Sequence, residues 1–289
     1  MATARQSFAG AGTATSAIGY AGDLNPGNSN ATEEYDSSIN VALPGAWASA
    51  NNMNVRRFNW RADVGTQTAT LVVGGADPGG NNLDTSEEYD GTNWTAGGSI
   101  PTTLSGMGGG GTQTAAFASG GNNPSDVRQS QTSNYDGSSW TVSGSMPFAS
   151  GQGTGWGTQT AGAHVGGYTG TADTVNTETW NGTAWAEVAN IPTATANNGG
   201  AGTQSLGLAF AGRTPGLTGA TYEFTGAGAD IGAWGSGGNL NTARSHMGAT
   251  GTQTATINFG GNISNATGLS EQYDGSAWTE VADLNSARE

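Results

Sequence analysis

The chain alternates short apolar segments with glycine-rich and polar segments, a pattern that predicts many short β-strands joined by tight turns. Residues 54–101 show four such strands. The first covers about residues 57–64, the second is ATLVV at 69–73, the third is EEYD at 87–90, and the fourth begins at Trp94. The phrase GTQT separates the first two strands, and DGTN gives a strong hairpin signal before the fourth.

The same four-strand unit recurs along the chain. GTQT or a close variant marks each unit and begins at Gly12, Gly65, Gly111, Gly157, Gly202 and Gly251. The spacings are 53, 46, 46, 45 and 49 residues, so six copies fill the 289-residue chain. Four strands in a period of this length are typical of one blade of a β-propeller.

Each copy carries three further marks. A glycine doublet, degenerate in two copies, closes the second strand at Ala21-Gly22, Gly74-Gly75, Gly120-Gly121, Gly166-Gly167, Ala211-Gly212 and Gly260-Gly261. An aromatic residue follows at Tyr35, Tyr89, Tyr135, Trp180, Tyr222 and Tyr273. A tryptophan follows it at Trp47, Trp94, Trp140, Trp185, Trp234 and Trp278. The last two marks lie further apart in copies one and five, which therefore depart from the plain repeat.

These marks have a structural explanation. The glycine of GTQT can adopt positive φ and close the hairpin between strands one and two, while its Thr and Gln can bond to nearby backbone. Small residues suit the crowded centre of a propeller, and a glycine doublet lets two backbones approach closely. The aromatic residues fill the wedge between sheets that splay apart. The repeated phrase is thus predicted to be structural, not catalytic.

We therefore predict an all-β, six-bladed kelch-like β-propeller with four antiparallel strands per blade. The single domain covers residues 1–289, with approximate blades at 1–53, 54–101, 102–147, 148–192, 193–240 and 241–289. A parallel β-helix is the chief alternative, and the tight hairpin signals disfavour it. TAR at Thr3–Arg5 echoes NTAR at Asn241–Arg244 and NSAR at Asn285–Arg288, which indicates a closed ring. Blades one and six should close it by contact, without strand exchange.

The order of glycine doublet, Tyr-Asp and Trp resembles kelch repeats, and the resemblance covers the whole chain. The phrases GTQTAT, EEYDGTNW and YDGSAWTEVADLNSAR are similar to kelch-like repeats encoded by marine bacteriophages, cyanophages among them. That resemblance implies a virion structural protein. It leaves open a tail fibre, a receptor-binding part or a capsid decoration.

Charge and composition limit the classes of partner that the protein can be expected to bind. The chain has a net charge of −14, and its eight cations are all arginine. This balance argues against nucleic-acid binding and against anionic membranes. No apolar run is long enough for membrane insertion, and no signal peptide is evident, so we expect synthesis in the cytoplasm. The resemblance to phage proteins implies that this is a host cytoplasm and that the final place is the virion.

The sequence offers little catalytic chemistry, and we expect no enzyme. Copper chemistry of the galactose-oxidase type needs His, Tyr and a Cys-linked Tyr, but the chain has no Cys and only two His. His164 in strand two and His246 in strand one fit packing or channel lining better than metal ligation. The sialidase Asp box is absent as well. A carboxylate-pair hydrolase stays an alternative, although four of the acids are turn residues of the repeat: Asp36, Asp90, Asp136 and Asp274.

No cofactor is predicted, with one candidate exception. The loop ADPGGNNLD offers carboxylate and amide oxygens, which Ca²⁺ prefers, and Asp77 and Asp84 would be its ligands. The spacing is not that of an EF-hand. A solvated polar loop is the alternative.

The candidate partner-binding residues come from two places. NVRRFNWRADVG concentrates arginine and aromatic residues, which are enriched at protein interfaces, and it supplies Arg56, Arg57, Phe58, Trp60 and Arg61. The alternative is that the aromatics pack between blades while the arginines line the channel. Trp156, outside the repeat pattern, could fill a gap left by glycines or form a sugar platform.

The variable loops between strands two and three are a second candidate surface: 23–32, 76–86, 122–133, 168–177, 213–221 and 262–270. We expect a non-enzymatic module that contacts other virion proteins. A receptor-binding module for host surface glycans is the main alternative, and a glycan-active enzyme is a third.

Overall fold

The structure is a computed structural model that describes residues 5–6, 9–14, 16–20, 23–24, 32–36, 46–58, 62–226 and 232–287. The described residues form β-strands, turns and loops, with no helix among them. No helix that could cross a membrane occurs in these ranges.

The strands form six sheets of four, and each sheet corresponds to one repeat. In chain order the blades contain Ala9–Thr13, Ser16–Tyr20, Thr32–Asp36 and Ala46–Ala50; Ala62–Thr66, Ala69–Val73, Ser86–Tyr89 and Trp94–Ala96; Ser105–Thr112, Ala115–Asn122, Gln131–Tyr135 and Trp140–Ser145; Thr154–Thr158, Ala161–Val165, Thr177–Trp180 and Trp185–Glu187; Gly199–Thr203, Leu206–Phe210, Thr221–Thr225 and Ala233–Ser236; Gly248–Thr252, Ala255–Phe259, Ser270–Tyr273 and Trp278–Val281. A separate two-stranded pair joins Arg5–Gln6 to Asp23–Leu24.

The sheets are arranged as a closed ring. Within each sheet the strands are antiparallel and lie in chain order. The first strand of every blade contacts the first strands of the two neighbouring blades, and blade 6 contacts blade 1 in the same way. The fold is a six-bladed β-propeller, as predicted. The predicted first strand of blade 2 was too early, because the observed strand is Ala62–Thr66.

The glycine of each GTQT phrase has a positive φ, as predicted, but contrary to the prediction it does not form the turn itself. In blade 2 Thr66 pairs with Ala69, so Gln67 and Thr68 make the two-residue turn. Gly65 lies one residue earlier, within the strand, at a φ of 109°. A Cβ at this position would collide with the carbonyl oxygen of Ala69 on the facing strand. Glycine is therefore required by both its φ and the close approach of the two backbones.

The glutamine of the phrase joins each blade to the preceding one. Gln159 Nε2 donates to the carbonyl oxygens of Ala116 at 3.1 Å and Tyr135 at 2.6 Å, on strands two and three of blade 3. Three other glutamines make the same pair of bonds to the blade before them: Gln113, Gln204 and Gln253. Blade 1 has Ala14 at this position, and there Gln272 of blade 6 donates to the Ala14 carbonyl at 2.5 Å.

The repeat aromatics fill the space between blades, as predicted. Tyr89 faces Trp94 across strands three and four, and both are buried. Trp94 Nε1 donates to Thr32 Oγ1 of blade 1 at 3.1 Å, so the pair also anchors its neighbour. One assignment was wrong. The residue that faces Trp234 in blade 5 is Phe224, and Tyr222 lies two positions away on the same strand.

Contacts between blades 6 and 1 close the ring. Asn285 donates its backbone N–H to Glu33 Oε2 at 3.2 Å and its side-chain amide to the Trp47 carbonyl at 2.8 Å. Trp47 Nε1 donates to the carbonyl of Ala282 at 3.1 Å. The ring of Trp47 also packs edge-on against Phe259 with centroids 5.0 Å apart. The join therefore combines hydrogen bonds with a buried apolar contact and exchanges no strand within the four-stranded sheets.

Replacing Gln159 with Ala should lower the free energy of unfolding by about 1–3 kcal/mol, because two partly buried carbonyl groups lose their donor. Urea denaturation of the purified protein measures the change. The exposed Thr158→Ala variant on the same hairpin is the control, with an expected change within about 0.5 kcal/mol. Equal effects of the two substitutions would contradict the role assigned to the amide.

Candidate functional site

Arg57 is an interior residue and cannot contact a partner, so its assignment to a partner-binding surface was wrong. Its side chain is fully buried and pairs with Glu87 at 3.0 Å. The guanidinium also donates to the carbonyls of Gly74 at 2.9 Å and Thr85 at 2.8 Å. Arg244 makes the equivalent buried ion pair with Glu271 in blade 6. These arginines hold the segment that enters a blade against the third strand of that blade.

Of the other candidate residues in the arginine-rich segment, two are described and two are not. Arg56 is exposed, and Phe58 is half-buried, with its backbone paired to Ala76. Trp60 and Arg61 lie outside the described residues. Among the described members, only Arg56 and Phe58 are thus placed where a partner could reach them.

Trp156 fills a gap left by glycines and is not a surface platform. It is buried in the first strand of blade 4, and its Nε1 donates to the Thr203 carbonyl of blade 5 at 3.0 Å. A Cβ at Gly200 or Gly207 would collide with its ring. Of the two alternatives from the sequence, packing is therefore correct, and the partner-binding assignment of Trp156 was wrong.

The candidate calcium loop uses one of its carboxylates internally. Asp77 Oδ1 accepts from the backbone N–H groups of Gly79 at 2.8 Å and Asn81 at 2.9 Å, and the Asn81 amide bonds to both carboxylate oxygens. Hydrogen bonds from Asn81 lower the pKa of Asp77. Asp84 is exposed in the same loop. Within the described ranges, no group of three or more His, Asp or Glu side chains is placed to hold a metal ion.

The aspartates of the YDG phrases are turn residues. Asp136 accepts from the backbone N–H groups of Ser138 at 2.9 Å and Ser139 at 2.8 Å. These bonds and those from the two serine hydroxyls lower the pKa of Asp136 to about 2. Asp90 and Asp274 bond to their turns in the same way, and their pKa values are also lowered. The side chain of Asp36 lies outside the described residues.

The two histidines have different places. His164 is buried in the second strand of blade 4, and its Nδ1 lies 3.0 Å from Ser119 Oγ. Burial lowers the pKa of His164 to about 4, so the ring is neutral near pH 7. His246 lies just before the first strand of blade 6 and not within it, and it lines the central channel. The prediction was that these histidines pack in the interior or line the channel. His164 packs in the interior and His246 lines the channel.

A cavity of about 130 Å³ opens at one end of the central channel. It lies where the chain enters the first strand of several blades. Its polar lining includes Asp63, Gln152, Asn197, Asn198 and His246, and its apolar lining includes Met107 and Met247. We call these seven residues the channel mouth. The remaining lining is mostly glycine, so the polar side chains define its chemistry.

Three residues of the channel mouth have left-handed backbone conformations. Gln152, Asn197 and His246 have φ values of 65°, 56° and 58°. Each lies five residues before the glycine of its GTQ phrase, and Gly106, at a φ of 74°, occupies the same position in blade 3. Left-handed backbone is uncommon for residues other than glycine.

These residues form a chain of backbone hydrogen bonds around the channel. Gln152 N–H donates to the Gly106 carbonyl at 2.8 Å, Asn197 N–H to the Gln152 carbonyl at 2.8 Å, and His246 N–H to the Asn197 carbonyl at 3.3 Å. The bonds connect blades 3, 4, 5 and 6 in sequence. They fix the backbone at the channel mouth independently of the side chains that it carries.

Several amide atoms at the channel mouth have no hydrogen-bond partner among the described residues. They are Gln152 Oε1, Asn197 Oδ1 and both polar side-chain atoms of Asn198. All are buried, and Asn197 is only 6% exposed. Buried polar groups are normally paired, so such a cluster is a feature that calls for an explanation.

Two arginines stack on one tyrosine beside the channel mouth. The guanidinium carbons of Arg128 and Arg213 lie 5.1 Å and 5.5 Å from the ring centroid of Tyr168. Each arginine also has its own acid, with Arg128 2.6 Å from Asp126 and Arg213 3.2 Å from Asp173. The stack spans blades 3, 4 and 5, and the two aspartates neutralise the charges of its two arginines.

The channel mouth was not predicted from the sequence, although a signal was present. In four blades the residue five positions before the phrase is Gly106, Gln152, Asn197 and His246. The change from glycine to polar residues at a fixed position marks the site. The sequence does not reveal that this position has a left-handed backbone. Only that conformation makes the replacement of glycine by a polar residue notable.

Comparisons with known proteins agree with the fold and go no further. No family model matches the chain, and no curated protein matches its sequence. The solved structure of YjhT is similar, with a TM-score of 0.75 and 12% sequence identity over 97% of each chain. At this identity the likeness shows the fold alone.

Replacing Arg57 with Met should lower the free energy of unfolding by about 3–5 kcal/mol, because Glu87 would be left buried without its cation. The double variant Arg57→Met, Glu87→Gln should recover part of the loss. Chemical denaturation measures both. The exposed Arg56→Ala variant is the control, with an expected change within about 0.5 kcal/mol. A loss at Arg56 as large as that at Arg57 would show that the ion pair is not the cause.

Glu178 should make the protein less stable as pH rises. It is fully buried, its carboxylate has no hydrogen-bond partner among the described residues, and Ser150 stands where blades 2 and 6 have arginine. Burial, and then the charge of Glu187, raise its pKa from 4.5 to about 8. Between these values the folded state keeps a proton that the unfolded state releases, so stability falls with rising pH.

The Glu178→Gln variant should remove this pH dependence. It should be more stable than the unaltered protein at pH 8–9 and equally stable near pH 4, as judged from thermal unfolding across the range. Glu280→Gln, which changes an acid on an exposed fourth strand, is the control and should not alter the slope. Parallel curves for the unaltered protein and Glu178→Gln would disprove the assignment.

Proposed function

We propose that the protein is a non-enzymatic, kelch-type propeller that serves on the surface of a phage particle and contacts other virion proteins. The sequence phrases GTQTAT, EEYDGTNW and YDGSAWTEVADLNSAR support the kelch and phage relationship. The non-enzymatic part is supported by the turn aspartates, whose carboxylates are used within their own hairpins. Structural bonds likewise occupy the buried arginines Arg57 and Arg244.

One observation carries the proposal that the propeller is an attachment module. The repeat is used to hold the blades together, and the variation between blades is concentrated in the loops between strands two and three. Those loops expose large apolar side chains in three blades: Val127 at 54%, Leu217 at 39% and Ile263 at 40%. Apolar side chains on rigidly held loops are suited to protein contacts.

Recognition of a host surface glycan is a second candidate function, and a separate observation favours it. The channel mouth brings several amide groups and two methionines to one cavity. Such a mixture of polar and apolar groups suits a polyhydroxylated ligand with hydroxyl edges and a hydrocarbon face. This candidate is compatible with a place on a particle.

Quantitative mass spectrometry on purified particles tests the first proposal by the number of copies per particle. On the order of hundreds of copies would support a capsid decoration, and on the order of ten a tail component, since symmetric assemblies repeat their surface proteins. A protein that is absent from every particle fraction would refute the virion proposal. A known capsid protein in the same sample calibrates the count.

A further inference from the structure

We infer that the channel mouth binds one neutral monosaccharide unit, held chiefly by Gln152, Asn197 and His246. The inference rests on the second candidate function, glycan recognition, and names the place and the chemical class of the ligand. It does not depend on whether the protein belongs to a particle.

The left-handed conformations show that the three side chains are retained at a cost. A residue with a Cβ is less stable there than glycine. Gly106 has the same conformation, and its carbonyl oxygen accepts a hydrogen bond in the same backbone chain. The protein has 51 glycines and uses them at most other left-handed positions. Glycine would thus serve the backbone at all three positions, so the backbone conformation does not require the polar side chains.

For Gln152 and Asn197, the use of these side chains is not hydrogen bonding within the described part of the protein, whereas His246 Nδ1 lies 2.9 Å from Ser245 Oγ. Gln152 Oε1 and Asn197 Oδ1 have no partner in that part, and neither has the neighbouring amide of Asn198. Burying a polar group without a partner is unfavourable. A ligand in the adjoining cavity can supply the missing donors after small rotations of these side chains. Backbone strain and unpaired amides thus point independently to the same place.

The size and lining of the cavity indicate the class of ligand. A volume of about 130 Å³ holds roughly ten water-sized groups, which is about one sugar ring. Amide groups can both donate to and accept from hydroxyl groups. Met107 and Met247 give the cavity a polarisable apolar surface, against which the C–H face of a sugar can pack.

The charges around the cavity favour a neutral ligand. Arg128 and Arg213 already have Asp126 and Asp173 as ion-pair partners. Burial, and then the charge of Arg213, lower the pKa of His246 to about 4, so the imidazole is neutral near pH 7. Asp63 is the acid in the cavity lining, and it disfavours an anionic ligand.

Ligand-detected NMR titration of the full chain tests the inference. The probes are glucose, galactose, mannose and N-acetylglucosamine, with glucuronate as the acidic comparison. At least one neutral sugar should bind, and glucuronate should bind more weakly. Gln152→Gly and Asn197→Gly should each weaken binding by about tenfold or more, because a buried hydrogen bond to the ligand is lost. Their melting temperatures should be unchanged or higher, because glycine relieves the strained backbone.

Ala211→Gly is the matched control. Ala211 also has a left-handed backbone, with a φ of 57°, but it carries no polar side chain and does not line the channel mouth. This variant should gain the same backbone relief and bind sugar as the unaltered protein does. Similar binding by Gln152→Gly, Asn197→Gly and Ala211→Gly would overturn the inference. A lower melting temperature in the first two would show that their side chains are structural.

A glycan array separates failure of this inference from failure of the glycan function. If the protein binds oligosaccharides and the two glycine variants bind them equally well, glycans are recognised elsewhere and the channel mouth is not the site. If neither free sugars nor arrayed glycans bind, both the inference and the second candidate function fail. The particle count tests the first proposal separately.

Discussion

The hydrogen bonds from a turn glutamine to two carbonyl groups of the neighbouring blade are the interaction on which the propeller depends. Gln159 reaches strands two and three of blade 3 together, so it fixes both the distance and the angle between two sheets. Within its own hairpin, Gly157 lacks the Cβ that would collide with the carbonyl oxygen of Ala161, so the two strands that carry the turn pair closely. Tyrosine and tryptophan then fill the wider space further out. The glutamine hydrogen bonds and the aromatic packing further out both result from the way in which neighbouring blades face each other.

The blades and their strands could be predicted because each repeated residue type satisfies a local requirement of a strand or a turn. The second strand of blade 2 was predicted at its observed limits, and the YDG turn before Trp94 forms the expected hairpin. Errors arose where strand register decides the outcome. Tyr222 and Phe224 are two residues apart, and only the pairing of Phe224 with Trp234 shows which one occupies the repeat position. Register depends on the neighbouring strand, which spacing alone does not reveal.

Much less of the candidate site could be predicted. Arg57 and Trp156 were conspicuous because arginine and tryptophan are common at interfaces, yet both complete the interior. Glu87, which neutralises Arg57, lies thirty residues later in a phrase that looked purely structural. Gln152 and Asn197 looked ordinary in a chain rich in amides. Their interest depends on backbone conformation and unpaired side-chain atoms, and both properties exist only in the folded ring.

The join between blades 6 and 1 also has a consequence for how the ring is made. Trp47 and Ala282, which meet there, are 235 residues apart, and Gln272 and Ala14 are 258 apart. Each of blades 2 to 6 can pack against the blade that was synthesised just before it. The side of blade 1 that contacts blade 6 has no partner until nearly the whole chain has been made. Long-range contacts of this kind are slow to form and leave apolar surface exposed meanwhile. We therefore expect ring closure to be the last and slowest step of folding, and blade 1 to be the part most exposed to misassembly on the ribosome.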